Sequence, residues 1–433
     1  MARVGGAGGH GGGSFGHSGG SHSYGGGGGG LYFLDSPVVI IIIVLYILYT
    51  LYTKSQKKNE APEGEAYVPQ SVPLPPGLDQ NKIAGSFVAI QQAWQNKDLT
   101  NVRKWLSDGM YQKLTTQFKM MNLLQQRNTL SNIRINSITA TNTYTDGHYQ
   151  VADVAISFTM DDSFTSNKFP QFNEAYQAES DTEYWTFIKR TDSTNEKNLY
   201  DNQNCPNCGA PFEVKMGEIS RCSHCNTLTN SAAYDWVLSE ITQAAEYTGD
   251  NSMSREDRLK DLMKNDPFFS VQRMEDIASN VFMQVMEVLT GDDDKKLSRF
   301  ADDQVAAMLI KSKQATPHFV FDRLYINNIS LTNYTADDLV VKFHFDLQAT
   351  FRRATLSPQL QMLDADFITR PCSIELSRNR KVLNGTAGET VYSHECSSCG
   401  APYTDTTEDK CTYCGAPVID KQRNWVLTGF VWG

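Results

Sequence analysis

The chain has 433 residues, enough for two or three domains of ordinary size, and 40% of them are hydrophobic. Its formal net charge is −10, and the eight charged residues before position 66 balance one another, so the excess lies in the later part. An acidic protein is repelled by phosphate backbones, which argues against nucleic-acid binding as the main function.

The amino-terminal segment is dominated by glycine. Sixteen of the 31 glycines lie within residues 1–30, mixed with Ser, His and Tyr. Such a segment cannot bury enough apolar surface to offset the entropy lost on ordering. We therefore predict that residues 1–30 are disordered.

An uncharged apolar run follows at residues 38–52. As a helix it would span only about 22 Å of the ~30 Å hydrocarbon core, but the apolar residues from Leu31 to Leu34 can lengthen it. A cleaved signal peptide is the alternative, and it fits poorly because the basic residues follow the run. We predict a transmembrane helix over residues 31–53.

The flanking charges predict the orientation of this helix. Lys54, Lys57 and Lys58 follow it directly, and basic flanks stay on the cytoplasmic side. We therefore expect a single-pass protein of the cell membrane, with its amino terminus outside and its domains in the cytoplasm, where thiols stay reduced. Five prolines between residues 59 and 78 predict a semi-extended linker over residues 54–78.

The remainder of the chain contains a duplication. Three landmarks occur twice, in the same order and 189 to 191 residues apart. They are INSI at 135–138 and INNI at 326–329, CPNCGAP at 205–211 and CSSCGAP at 396–402, and WVL at 236–238 and 425–427. We predict two tandem units, each with a domain, a cysteine-rich segment and a return segment.

Each unit has the pattern of helices followed by strands. In the first unit, Asp79, Asp98 and Asp108 each stand where they can start a helix. In the second unit, a helical stripe is followed by strict alternation of apolar and polar residues over 341–351. This order predicts an α+β fold, with helices on one face of an antiparallel sheet.

Eight of the nine cysteines form two quartets of paired C-x2-C turns, and Cys372 is left over as a core residue. Four thiolates with this spacing are typical of a structural zinc ribbon with no open coordination position. We predict two zinc ions, one at each quartet. The predicted ligands are Cys205, Cys208, Cys222 and Cys225 in the first ribbon, and Cys396, Cys399, Cys411 and Cys414 in the second.

Three alternatives to a structural zinc protein fit the sequence less well. Two disulfides per quartet are disfavoured by the predicted cytoplasmic location. Zinc ribbons that bind nucleic acid carry Lys and Arg near the cysteines, whereas these ribbons are weakly acidic. No paired carboxylates, nucleophile motif or phosphate loop satisfies the requirements of an active site, so we expect the protein not to be an enzyme.

Aromatic residues of the first unit form a further candidate site. They are core residues by default, but an α+β domain can leave an apolar pocket between helices and sheet. The candidate pocket residues are Phe87, Trp94, Trp105, Phe118 and Trp185.

Two segments carry a family resemblance, IAGSFVAIQQAWQNKDLTNVRKWLSDGMYQKL at 83–114 and NDPFFSVQRMEDIASNVFMQVMEVL at 265–289. They resemble the domain of the mitochondrial import-motor membrane tether, Tim44, and are similar to bacterial membrane proteins that combine this domain with a zinc ribbon. The resemblance implies a cone-shaped fold like nuclear transport factor two, with helices over a curved antiparallel sheet. It also implies a tether or adaptor role.

Together these patterns predict a membrane-anchored, non-catalytic adaptor that recruits an unknown polypeptide at the cytoplasmic face, for example in protein transport. We expect contact with membrane lipid through the anchor and no binding of nucleic acid. A small-ligand-binding or enzymatic pocket in one α+β domain is the alternative. The predicted domains are 79–200 and 265–390, with zinc ribbons at 201–232 and 391–421 and return segments at 233–264 and 422–433.

Overall fold

The structure, a computed structural model, describes most of the chain from residue 70 onwards. The described residues are 70–193, 197–212, 220–316, 318–356, 359–380, 396, 398–399, 401, 410–417 and 425–433. Within these ranges, no helix is both long and apolar enough to cross a membrane. The glycine-rich segment at 1–30 and the predicted membrane helix at 31–53 lie outside them.

The first domain begins with helices that lie over a four-stranded sheet. Asp79 caps the first helix by accepting a hydrogen bond from Lys82 N at 2.8 Å, as the sequence predicted. Ser107, rather than Asp108, caps the second. The elements are α1 (Gln80–Asn96), a 3₁₀ turn (Arg103–Trp105), α2 (Asp108–Leu123), β1 (Gln126–Asp146), β2 (Tyr149–Ser166), β3 (Glu174–Arg190) and β4 (Val237–Gln243).

The second domain repeats this order with additional short helices and a short strand. Its buried helix carries the predicted apolar stripe, and its second strand carries the predicted alternation. The elements are α3 (Lys260–Asn265), α4 (Val271–Thr290), α5 (Leu297–Phe300), α6 (Asp303–Ala315), β5 (Val320–Ala336), β6 (Val340–Thr355), β7 (Gln361–Met362), β8 (Ile368–Asn379) and β9 (Val426–Trp432).

Both sheets are antiparallel and share one topology. Their strand orders are β1-β2-β3-β4 and β5-β6-β8-β9, and β7 pairs beside β6. The two largest hydrophobic cores of the described residues, one for each unit, lie between helices and sheet. The mixed fold with two antiparallel sheets is confirmed, while the likeness to nuclear transport factor two stays a prediction.

In each unit the cysteine-rich segment is inserted before the last strand. In the first unit, β4 comes after the quartet and pairs with β3 through Glu183↔Gln243 and Ile188↔Val237. In the second, β9 comes after the quartet and pairs with β8 through Cys372↔Trp432. The chain thus leaves the sheet to form the ribbon and returns to complete it.

The two domains pack directly through α2 and α4. Asp276 of α4 accepts hydrogen bonds from Ser107 Oγ at 2.6 Å and from Gly109 N at 3.1 Å. Lys119 of α2 forms an ion pair with Glu287 at 2.8 Å. Because burial raises the pKa of Asp276 to about 6, this contact is also a titratable one.

The described end of the predicted linker packs against the first domain. Val72 N donates to Ala140 O at 2.8 Å beside the edge strand β1, and Leu78 is buried in the core. Trp236 Nε1 donates to Pro76 O at 3.2 Å. From residue 72 onwards, this segment is therefore part of the packed domain rather than a free spacer.

Candidate metal centres

The first cysteine quartet converges on one point. The Sγ atoms of Cys205 and Cys225 are 3.6 Å apart, and those of Cys208 and Cys222 are 3.8 Å apart. All four sulfurs lie within 4.8 Å of one another. Four thiolates about 2.3 Å from a central zinc ion would lie about 3.8 Å apart, so the arrangement has the dimensions of a tetrahedral metal site.

Backbone turns place these sulfurs. The N–H of Gly209 donates to Cys205 O at 2.9 Å, and the N–H of Asn226 donates to Cys222 O at the same distance. Both Gly209 and Asn226 have a positive φ, 75° and 60°, so each turn needs a residue that tolerates the left-handed region. The sequence predicted the turn at Gly209. Asn226 adopts the same left-handed conformation in the second turn, which was not predicted because no glycine marks it.

The second quartet has the same geometry. The Sγ atoms of Cys396 and Cys414 are 3.6 Å apart, and those of Cys399 and Cys411 are 3.7 Å apart. Gly415 adopts a φ of 72° and donates its N–H to Cys411 O at 2.8 Å. The duplication therefore extends to the positions of the cysteine sulfurs that could bind a metal.

These eight cysteines are free thiols. Their closest Sγ···Sγ distances, 3.6 to 3.8 Å, are far longer than the ~2.05 Å of a disulfide bond. Each quartet could therefore hold a metal ion. Because burial raises the pKa of the Cys205 thiol to about 12 when no metal is bound, metal uptake must displace a proton there.

Cys372, the ninth cysteine, lies in β8 within the core of the second domain and is 3% exposed. Burial raises the pKa of its thiol to about 12, so it stays protonated at neutral pH. The sequence interpretation of Cys372 as a core residue agrees with this position.

The first ribbon is attached to the start of α2 by polar contacts. Asn230, which follows the second knuckle, donates to Leu106 O at 3.0 Å and to Asp108 Oδ1 at 2.9 Å. Lys104 donates to Gln203 Oε1 at 3.2 Å and is 1% exposed. Burial lowers the pKa of Lys104 to about 8. Sequence reasoning missed this attachment because its residues are far apart in the chain.

The return segments carry the predicted tryptophans into the preceding domains. Trp236 is fully buried and Trp425 is 2% exposed. The ring of Trp425 lies 5.0 Å from that of Phe343, and the Arg378 guanidinium lies 4.5 Å above it. The packing of both tryptophans onto their domains is confirmed.

The same backbone contact holds each return strand. Ser107 N, at the start of α2, donates to Leu238 O at 2.9 Å, and Asp302 N, at the start of α6, donates to Leu427 O at 3.0 Å. Each of these donors is also the cap of its helix. The residue that begins the helix thus also fixes the strand that follows the ribbon.

The five candidate pocket residues are all buried in the first core: Phe87, Trp94, Trp105, Phe118 and Trp185. Phe87 packs against Trp185, with ring centroids 5.3 Å apart, and Trp94 packs against Phe118 at 5.4 Å. Trp94 also lines a cavity of about 10 Å³, which is room for about one water molecule. A ligand pocket among these side chains stays a prediction.

The helices and first three strands of the first domain match a known family. Residues 80–199 fit the family model described as the Tim44-like domain. The chain carries a Tim44-like domain. The match covers α1 to β3 and stops before the first ribbon, so β4, which completes this sheet, lies beyond it. No curated protein and no solved structure matches the chain.

In general terms, a Tim44-like domain indicates a membrane-associated adaptor role in protein transport. The two four-cysteine groups of the chain lie outside the matched residues. In both units they are placed between the third and fourth principal strands. The first quartet thus follows the residues that match the Tim44-like domain and precedes the strand that completes their sheet.

Proposed function

We propose that the chain is a non-catalytic adaptor that recruits a polypeptide at the cytoplasmic face of a membrane, to which residues 31–53 anchor it. The Tim44-like domain is the observation that carries this proposal. The two domains are held together by buried contacts between α2 and α4, which suits a rigid scaffold that positions a partner.

Both metal centres have a structural role in this proposal. All four positions of a tetrahedral ion are filled by thiolates, which leaves none for a substrate. Zinc fits the donor set and the sulfur spacing, and an iron centre of the same geometry is the competing assignment. Zinc would hold each ribbon in the shape that directs the return strand onto its sheet.

The adaptor role is tested in native membranes. A photo-crosslinking side chain is placed at exposed positions of the full chain, and the crosslinked polypeptide is identified and followed by fractionation. We expect the crosslinked polypeptide to leave the membrane fraction when residues 31–53 are deleted. An unrelated membrane helix in place of residues 31–53 should return the polypeptide to the membrane fraction. If the polypeptide stays at the membrane without the anchor, the chain is not its tether.

The metal assignment is tested on the purified full chain. We expect two zinc ions per chain by elemental analysis and about one for Cys208→Ser, because the remaining three thiolates bind much more weakly. The matched control is Cys372→Ser, which should keep both ions because Cys372 belongs to neither quartet. Iron in place of zinc, or a fully folded protein without metal, would contradict the assignment.

A further inference from the structure

A large cleft lies between the two sheets. Its volume is about 610 Å³, within the range of ligand-binding sites. Asp153, Thr186 and Glu240 form one wall, because they pair with one another across β2, β3 and β4. The floor includes Gln272 and Glu275 of α4.

The opposite wall belongs to the second domain. Ser330, Asp346 and Ser373 pair across β5, β6 and β8 and line the cleft. The loop after β4, residues 246–250, lines it as well. The cleft therefore exists only because the two domains are packed in tandem.

The charge of this cleft has one sign. Among the described residues that line it, none is Lys, Arg or His, and six are acidic. The acidic residues are Asp153, Glu240, Glu246, Asp250, Glu275 and Asp346. Negative charges focused between two protein walls raise the local concentration of cations.

Among the described residues, most of these carboxylates have only neutral hydrogen-bonding partners. Glu246 accepts from Asn327 Nδ2 at 2.6 Å, Glu275 accepts from Leu331 N at 2.9 Å, and Asp346 accepts from Ser373 Oγ at 2.7 Å. Glu240 is the exception, since Lys113 reaches its Oε1, but its buried Oε2 has no partner among the described residues. Burial raises the pKa of Glu275 to about 8 and that of Glu246 to about 7. At pH 7, Glu275 is therefore mostly protonated and Glu246 about half protonated, and a cation bound in the cleft would favour the ionised form of both.

The arrangement of the carboxylates disfavours a single metal ion. Among the described residues, the groups of His, Cys, Asp or Glu that converge closely enough to hold a metal are the two cysteine quartets. The cleft carboxylates are instead spread over both walls and the floor. Tyr144 and Tyr247 add aromatic rings to the lining, and such rings attract ammonium and guanidinium groups.

We propose that this cleft binds a lysine- or arginine-rich segment of a partner polypeptide. Separate basic side chains can meet separate carboxylates, and the aromatic and apolar lining can take their hydrocarbon stems. The proposal deepens the adaptor function and rests on it, because it names the chemistry of the recruited polypeptide.

The test measures binding of a fluorescent octalysine peptide to the full chain in a neutral detergent, by anisotropy. One variant combines Glu246→Gln, Asp250→Asn and Asp346→Asn. Its matched control combines Asp261→Asn, Asp338→Asn and Asp366→Asn, three exposed acids outside the cleft with the same change in formal charge. We expect the cleft variant to lower affinity at least about tenfold and the control to lower it less than about twofold.

A second variant avoids any change at a buried acid. Thr248→Lys places an ammonium group in the cleft from an exposed loop position, and we expect it to weaken octalysine binding as well. Equal weakening by the cleft and control variants would overturn the proposal, because it would show attraction to net charge alone. The proposal would also be overturned if the unmodified chain did not bind octalysine.

Three further outcomes separate this proposal from others. If spermine or Mg²⁺ binds the cleft tightly while octalysine does not, the site serves a small cation and the polypeptide proposal fails. If the cleft variant still recruits the crosslinked partner to membranes, the adaptor function stands and only the cleft is excluded. If octalysine binding depends on the cleft but the partner is not tethered to the membrane by this chain, the adaptor function is excluded and basic-peptide binding by the cleft stands.

Discussion

The tryptophan of the second return strand offers a direct test of how each ribbon is tied to its domain. Trp425 is 2% exposed and packs between Phe343 and Arg378. Arg378 in turn forms a buried ion pair with Asp266 at 2.5 Å. Trp425→Ala would therefore remove a large buried aromatic ring. It would also leave one face of the buried Arg378 guanidinium without the ring that packs against it.

The expected loss of stability follows from this burial. Replacing a buried Trp by Ala typically costs about 3–5 kcal/mol. In a unit of roughly 150–250 residues, each kcal/mol lowers the melting temperature by about 2–4 °C. We therefore expect the melting transition of the second domain to fall by about 6 °C or more. The metal content should be unchanged because Trp425 is not a ligand.

Calorimetry gives the transition, and hydrogen exchange at the β8 amides of Ile374 and Leu376 assigns it to the second domain. The control is Val431→Thr in the same strand, where the side chain is 66% exposed and the change should stay within about 0.5 kcal/mol. If Trp425→Ala has the same melting temperature as the unmodified chain, the return strand does not hold the unit together and its Trp-Val-Leu sequence serves another purpose.

Three further predictions address the interface between the two domains, the titration of Glu275 in the cleft, and the membrane topology. Gly109→Ala should destabilise the pair of domains by about 1–3 kcal/mol in urea unfolding, because the added Cβ would lie 2.3 Å from Asp276 O. The control is Gly85→Ala in α1, where the added Cβ would have no atom within 4 Å, so this change should be neutral or stabilising. Burial raises the pKa of Glu275 to about 8, so between about pH 4.5 and pH 8 its carboxyl is ionised in the unfolded state but protonated in the folded state, and stability falls as pH rises through this range. Glu275→Gln should therefore shrink the loss of stability between about pH 5 and pH 8, and an unchanged pH dependence would contradict this. In intact cells, a membrane-impermeant thiol label should reach Ser14→Cys but not Ser71→Cys, and the reverse pattern would overturn the predicted orientation.

Patterns confined to one element were predicted correctly from the sequence. The buried stripe of α4 and the alternation of β6 follow from periods of about 3.6 and 2 residues, which local sequence displays directly. The helix expected after Asp98 is instead an irregular turn that ends in the 3₁₀ segment Arg103–Trp105. Asp98 bonds to Thr100 N at 2.9 Å, and such a local bond competes with helix formation.

Features assembled from distant residues could not be predicted in this way. The acidic cleft joins Asp153 of one domain to Asp346 of the other, and neither belongs to a recognisable motif. The attachment of the first ribbon to α2 likewise depends on Asn230 and Asp108, which meet only in the folded chain. The convergence of each cysteine quartet was predictable because a four-thiolate site requires a fixed spacing within a short segment.

The position of each ribbon within its sheet also bears on the order of folding. Residues 191–236, 46 in all, separate β3 from β4, so the fourth strand reaches its place only after the whole ribbon has been synthesised. A bound metal removes the residues between Cys205 and Cys225 from this loop, but the entropy of closure depends only on the logarithm of loop length. The gain from shortening the loop is about 0.5 kcal/mol. Loss of metal should therefore disturb the last strand mainly by releasing the contacts of the ribbon with α2, and the free energy of those contacts, rather than the length of the loop, decides how far the sheet is completed without zinc.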